Sequence, residues 1–262
     1  MARPSAGFGG TMAEPGMIDS ARVMRRGFRV FGENFVPFAG VALLLTGLPS
    51  AAAQYLAASA VLRGEPTGVE SLLYLGTLLV SWLFGSLLQG ILVRATVLDL
   101  ADAELELGRC IVTALGLILP IFAISFLVFL GSAIGSIFLI VPGAIFYIAM
   151  IAAIPALIEE RAGVFGSMKR SHRLTRGCWL QIFVLLVLFM IFSLFVWSIF
   201  SLAFGVSLFV PGSDQPVMAA GAAGLGSTIT AVVASTMIAS LYIELRAVRE
   251  GATTNDLASI FA

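Results

Sequence analysis

Four arginines, Arg22, Arg25, Arg26 and Arg29, and a second set, Lys169, Arg170, His172, Arg173 and Arg176, carry the most distinctive chemistry of this 262-residue chain. A guanidinium presents a planar fork of N–H donors that grips a phosphate through paired hydrogen bonds. The two sets are copies. Met24-Arg25-Arg26-Gly27-Phe28-Arg29-Val30 lies without gaps on Met168-Lys169-Arg170-Ser171-His172-Arg173-Leu174, and Phe35 falls opposite Trp179. At about 100° per residue, Ala21, Met24, Phe28, Phe31 and Phe35 gather on one arc beside the arginines. The second copy sets Phe165, Met168, His172, Thr175 and Trp179 beside its own basic residues. Each reads as a basic amphipathic helix lying on a membrane. Two readings of the arcs stand. They fix topology and anchor to anionic lipid, each charge near the surface being worth about 1 kcal/mol, or they converge on a phosphate headgroup or lipid-linked phosphate.

Other chemistry is sparse. His172 is the only histidine, so neither a histidine-based zinc site nor a two-histidine phosphodiester mechanism can be assembled. It reads as cover for the end of the next span, or as a phosphate or pH-sensing contact. Glu159, Glu160 and Glu244, near Arg161 and Arg246, are expected to form an ion-pair layer. As a catalytic pair they lack a nucleophile or metal, so no enzyme activity, metal or cofactor is expected. Gln54 and Gln89 are the bulkiest polar side chains within apolar runs and suit hydrogen bonds to neighbouring helices. Cys110 and Cys178 are placed at span ends facing a reducing compartment, with no disulfide between them.

The elements that must hold these groups are membrane spans. The chain is 59% hydrophobic and 11% charged, against about 25% charged in a soluble domain, and its mean hydropathy is +1.03. Crossing a hydrocarbon core needs roughly 20 apolar helical residues. Charge-free runs of that length occur at 35–62, 71–93, 110–133, 134–158, 177–210 and 217–243. The third and fourth abut and are divided here near Gly131-Ser132-Ala133-Ile134-Gly135. Fourteen of the fifteen Lys and Arg residues then share one side, with Arg63 alone on the other. The positive-inside rule makes that side cytoplasmic and places both termini there. Trp179 and Tyr242 fall at cytoplasmic ends, Tyr74 and Trp197 toward outer ones. A rival reading takes Arg25-Arg26, Phe35 to Leu48 and Ser50-Ala51-Ala52-Ala53 as a signal peptide. The long leading segment and continued apolarity disfavour it. The formal net charge is zero, and no nucleic-acid partner is implied.

The expected architecture is an all-α polytopic bundle of six transmembrane helices with two or three interfacial amphipathic helices. The interfacial helices are placed at about 17–34, 94–109 and 159–176, within a membrane domain at 17–250 flanked by tails at 1–16 and 251–262. The middle one is the weakest, because Asp99, Asp102, Glu104 and Glu106 make it mostly acidic. Three units of interfacial helix plus two spans result. Pro49, Pro120, Pro142 and Gly143 are the expected kinks. The small residues at 221–227 are expected to pack helices closely. No span carries a charged residue or histidine between its ends, which argues against proton-coupled transport.

Val141-Pro142-Gly143, Ile154-Pro155-Ala156-Leu157-Ile158-Glu159-Glu160, the stretch from Ser167 to Gly177, and Tyr242-Ile243-Glu244-Leu245-Arg246 together resemble a bacterial family. It is the membrane domain of glycerophosphoryl diester phosphodiesterase, with related six-span proteins. In some members this domain is fused to a catalytic barrel, for which no residues are read here, so the resemblance does not imply a phosphodiesterase. It implies a bacterial inner-membrane module touching lipids or lipid-linked polymers. The leading expectation is therefore a non-enzymatic module that binds anionic lipid or lipid-linked phosphate and presents or moves it. The alternative is an assembly factor for envelope proteins whose basic helices only anchor. A further protein partner or a homo-oligomer is compatible with either.

Overall fold

A computed structural model describes residues 18–63, 68–101, 103–206 and 215–251. The expected tails, Gly251 apart, and residues 64–67 and 211–214 of the links at 63–70 and 211–216 lie outside the described residues. The elements are α1 (Ser20–Glu33), α2 (Phe35–Ala42), a π-helical turn (Leu43–Gly47), α3 (Leu48–Arg63) and α4 (Gly68–Leu100). They continue with α5 (Leu107–Gly116), α6 (Ile118–Phe138), α7 (Ile140–Met150), α8 (Ala153–Glu160), α9 (Gly163–Thr175), α10 (Trp179–Ala203) and α11 (Pro216–Glu250). Among the described residues no strand occurs. Six segments are long and apolar enough to cross a membrane: Phe35–Ala60, Gly68–Leu100, Ile118–Ile137, Ile140–Glu160, Trp179–Ala203 and Pro216–Glu250. The chain is an all-α, multi-pass membrane protein.

Three junctions, each between a short helix and the span that follows it, share one backbone conformation. Asn34 ends α1 at φ −114°, ψ 23°. Leu117 ends α5 at −110°, 14°, and Cys178 precedes α10 at −111°, 14°. Each junction carbonyl accepts the N–H four residues on, from Phe38, Ile121 and Ile182. Pro37 and Pro120 sit three residues after the first two junctions. A proline ring there clashes with the carbonyl of Glu33 or Gly116, so the helix cannot run through. The third junction has Gln181 in that place and turns instead at Gly177, whose φ is 85°. Only glycine adopts that φ without strain, and a Cβ there would lie 2.9 Å from Arg249 Nη2.

The copies match in burial as well. Val23, Gly27 and Val30 are the buried face of α1, and the residues aligned with them, Ser167, Ser171 and Leu174, are buried in α9. Phe28 and Phe35, on the arc assigned to the membrane, face outward, as do Phe165 and Trp179. The middle unit differs from expectation. Residues 94–109 do not form an interfacial helix: α4 runs unbroken through Arg94 to Leu100, and the short helix is α5, displaced toward Gly116. The reason is the proline, because Pro120 rather than the charge pattern sets where this helix must end.

The division between spans three and four is also later than expected. It falls at Leu139, the only residue between α6 and α7, which is extended at φ −165°, ψ 143°. The glycines near 131–135 serve contact instead of turning the chain. A Cβ on Gly135 would lie 2.9 Å from Gly143 Cα, and one on Gly131 would strike the Phe146 ring. Pro142 occupies the first turn of α7, where an N–H has no helical acceptor, so it bends nothing. Span four breaks at Ile151–Ala152, four residues behind Pro155. Ser171 of α9 bonds the broken backbone there, accepting from Ala152 N at 3.2 Å and donating to Ala149 O at 2.7 Å. Pro49 faces the carbonyl of Leu45, and the chain absorbs it as the π-helical turn.

The central element is α11, which packs against α1, α2, α3, α4, α8, α9 and α10. It crosses the first span where Gly224 and Gly47 touch: a Cβ on Gly224 would lie 3.1 Å from Gly47 O. Small residues here substitute for a hydrophobic driving force that lipid cannot supply.

Gly135→Leu is expected to lower stability by at least about 1–3 kcal/mol, the usual range for overpacking. Gly76→Ala, with nothing within 4 Å of the added methyl, is expected to be neutral. Thermal unfolding of the two variants in detergent checks the contrast.

Candidate functional site

One end of the bundle collects the charges. Glu244 of α11, only 2% exposed, accepts Arg22 Nη1 at 3.2 Å and Arg26 Nη1 at 3.0 Å. Glu159, in the last turn of α8 at 3% side-chain exposure, accepts Arg94 Nη1 of α4 at 2.8 Å. Glu160 Oε1 takes both Tyr242 Oη and Arg170 Nε at 2.8 Å. Arg170 also bonds Glu250, whose other oxygen accepts Arg246 Nε at 3.2 Å. The Arg246 guanidinium lies 5.9 Å from the centre of the Tyr242 ring, within cation–π range. A closed circuit of side chains thus runs from Tyr242 through Glu160, Arg170 and Glu250 to Arg246 and back. Beside α1, Asn34 Nδ2 donates to Asp99 Oδ1 at 2.9 Å.

The carboxylates lie where the sequence puts them, but their partners differ from those expected. Arg161 caps α8 in the left-handed region at φ 50° and makes no ion pair among the described residues. The partner of Glu159 is Arg94, and that of Glu244 is α1. Tyr242 lies at this end of the bundle and is fully buried. Neither Arg94 nor Glu250 was singled out as a partner from the sequence. The available signal was that Arg94 and Glu159 each end an apolar run on the same side with opposite signs.

The basic arcs divide the same way in both copies. Arg26 and Arg170, aligned with each other, point inward onto carboxylates, as Arg22 does. Arg25 and its counterpart Lys169, and Arg29 and its counterpart Arg173, are exposed without a carboxylate partner among the described residues. His172 and Arg176 are exposed beside them. Glu244 and Glu250 are six residues apart on α11, about 9 Å along its axis, so the two arcs flank the same helix end.

Deeper in the span region, α4, α6 and α7 enclose a cavity of about 440 Å³. It is lined by Gln89 together with Ser81, Ser86, Ser125, Ser132 and Tyr147. Gln54, the other flagged glutamine, is exposed on α3. The serines were not singled out in the sequence, because single hydroxyls in an apolar run carry no periodic signature. Among the described residues no group of three or more His, Cys, Asp or Glu side chains could hold a metal ion.

Cys110 and Cys178 are both buried and free. Burial pushes each thiol above its ordinary pKa, Arg94 opposing this at Cys110 and Arg249 at Cys178. A raised pKa leaves less thiolate at neutral pH, so neither cysteine is expected to react with a maleimide at pH 7.5 until the chain is unfolded in dodecyl sulfate. Mass spectrometry counts the labels. The double substitution Arg22→Gln/Arg26→Gln strands the buried Glu244 carboxylate and is expected to cost about 3 kcal/mol. Adding Glu244→Gln should recover most of the lost thermal midpoint.

Compared with protein-family models, with curated proteins and with solved structures, the chain matches none.

Proposed function

We propose that this protein is a non-enzymatic membrane module whose basic end faces the cytoplasm of a bacterial inner membrane. There it binds the phosphate of an anionic lipid or a lipid-linked phosphate, and presents or moves it. The observation that carries this reading is the repeated division of the basic residues. Each copy commits arginine to internal carboxylates and leaves the neighbouring positions, Arg25 and Arg29, Lys169 and Arg173, exposed on either side of one helix end. Anchoring alone does not require the same positions to be spared twice. Arg22, Arg26 and Arg170 are excluded from the ligand set, since their charge is already met by carboxylate. Arg176 and His172 complete the exposed surface.

The segments that carry the resemblance to the phosphodiesterase membrane domain, 154–160 and 167–177, form α8 and α9 and the link after them, on which this layer is built. That agreement is in keeping with the reading. Orientation is supported by the positive-inside rule, since the free cations share one end.

The experiment compares the wild type with Arg25→Gln/Arg29→Gln/Arg173→Gln/Arg176→Gln by native mass spectrometry of detergent-purified protein. At about 1 kcal/mol per surface charge, four losses should reduce bound anionic lipid by tenfold or more, with the thermal midpoint unchanged. Equal anionic lipid in both proteins would reduce the arcs to topological anchors and favour an assembly role.

A further inference from the structure

The cavity between α4, α6 and α7 lies apart from the basic end. Ser125 Oγ and Ser132 Oγ on its α6 wall are buried and make no hydrogen bond. A buried hydroxyl left unmet is costly, and most such groups in proteins have a partner. Both belong to residues on one wall of the cavity, where a hydrogen-bonding occupant reached by a side-chain rotation would satisfy them. Ser81 and Ser86, opposite, spend their hydrogens on Thr77 O and Leu83 O, both at 2.8 Å, and keep acceptor capacity. Gln89 adds an amide and Tyr147 a phenol.

The occupant's charge follows from what is missing on these walls. No Lys, Arg, His, Asp or Glu lines the cavity. Its polar residues on α4, Ser81, Ser86 and Gln89, lie at least five positions from Arg94 and eleven from Glu70, the two nearest charges along that helix, and so at least about 7 Å from either along the axis. A phosphate at that depth would meet no cation, and an ammonium no carboxylate. Charged headgroups are therefore disfavoured.

The occupant's shape follows from the mouth and the floor. Phe129 and Tyr147 at the rim are 61% and 43% exposed, on the bundle's lipid side. Trp82 stacks edgewise on Phe122 and lies against Phe129, with ring centres 5.1 and 5.8 Å apart, to form one jamb. Tyr147, Ile151 and Ile238 are shared with a narrower cavity of about 70 Å³, which Ile182, Phe189 and Met237 make apolar. A chamber with largely apolar walls, set with a few hydroxyl and amide groups, thus continues into an apolar slot.

The geometry points to a binding site for an uncharged lipid with a hydroxyl-bearing head, of the acylglycerol or long-chain alcohol class. The head meets Ser125, Ser132 and Gln89 while a chain enters the slot beside Tyr147. This site does not rest on the basic arcs, and neither reading fails with the other.

The test uses Trp82 as the reporter in a Trp179→Phe/Trp197→Phe background, with the protein in phosphatidylcholine nanodiscs. Bromine-labelled diacylglycerol, a bromine-labelled long-chain alcohol, bromine-labelled phosphatidylglycerol and bromine-labelled phosphatidylcholine are each titrated as quenchers. The diacylglycerol or the alcohol is expected to half-quench at a mole fraction roughly tenfold below that of phosphatidylcholine, the equivalent of one or two hydrogen bonds. Which of the two quenches earlier names the source. Ser125→Ala/Ser132→Ala should abolish the preference without lowering the thermal midpoint, because the two hydroxyls have no protein partner to lose. Quenching in proportion to mole fraction for all four lipids would overturn the proposal and leave water as the occupant. Earliest quenching by phosphatidylglycerol, or a preference that survives the serine substitutions, would overturn it as well.

Discussion

The structure depends on one electrostatic requirement, that no carboxylate be left uncompensated at the edge of an apolar bundle. Glu244 lies on the helix that touches nearly every other element, and it is almost wholly removed from solvent. A lone ionised carboxylate in such a place is strongly destabilising. It is compensated from the far end of the chain, by two arginines 222 and 218 residues away. That pair closes the first helix onto the last and so draws the three units into one body. The same requirement recurs at Glu159, where Arg94 of α4 holds Oε2 while Oε1 is buried without a hydrogen bond, so each of the two closures is made by charges the membrane would otherwise reject.

Once this layer is fixed, the repeated architecture follows from backbone rules. Each unit begins with a short helix that stops at a residue near φ −110°, and a span starts at the next position. Proline enforces the stop twice and a left-handed glycine once. Different residues producing one conformation indicates that the break itself is what the architecture needs, since it reorients the chain from the membrane surface into the membrane. The side chains on the preceding helix inherit their roles from that geometry. The residue eight positions before each junction is Arg26, Arg109 or Arg170, and the next is buried in all three units as Gly27, Cys110 or Ser171.

Much of this was readable in the sequence, for definite reasons. Apolar runs and the one-sided placement of Lys and Arg mark the spans, because length and charge are the two properties a bilayer selects most sharply. The gap-free match between 24–30 and 168–174 survives as matched burial. Proline meaning was harder to read. Pro142 resembles a kink in a string of letters, but at the start of a helix it costs nothing, whereas Pro155 breaks span four and needs Ser171 to mend it. The glycines near 131–135 read as a turn because the sequence cannot tell a bend from a close approach. Ion partners were misassigned to sequence neighbours such as Arg161, since proximity across the bundle is a tertiary property. The serine-lined cavity was not legible, because it exists only in how three helices face one another.

The single-residue connection at Leu139 also constrains how the molecule can flex. Adjacent Cα atoms are 3.8 Å apart, so one residue gives α6 and α7 no slack to part at that end, and their glycine contact ties them along their length. The pair therefore behaves as one stiff blade. Displacement of that blade must be taken up at its opposite ends, at Leu117 and at Ile151–Ala152, where the hydrogen-bond ladder is already interrupted. The wall formed by α4, continuous from Gly68 to Leu100, has no such joint. Any widening of the gap between them would thus be a swing of the blade against a fixed post.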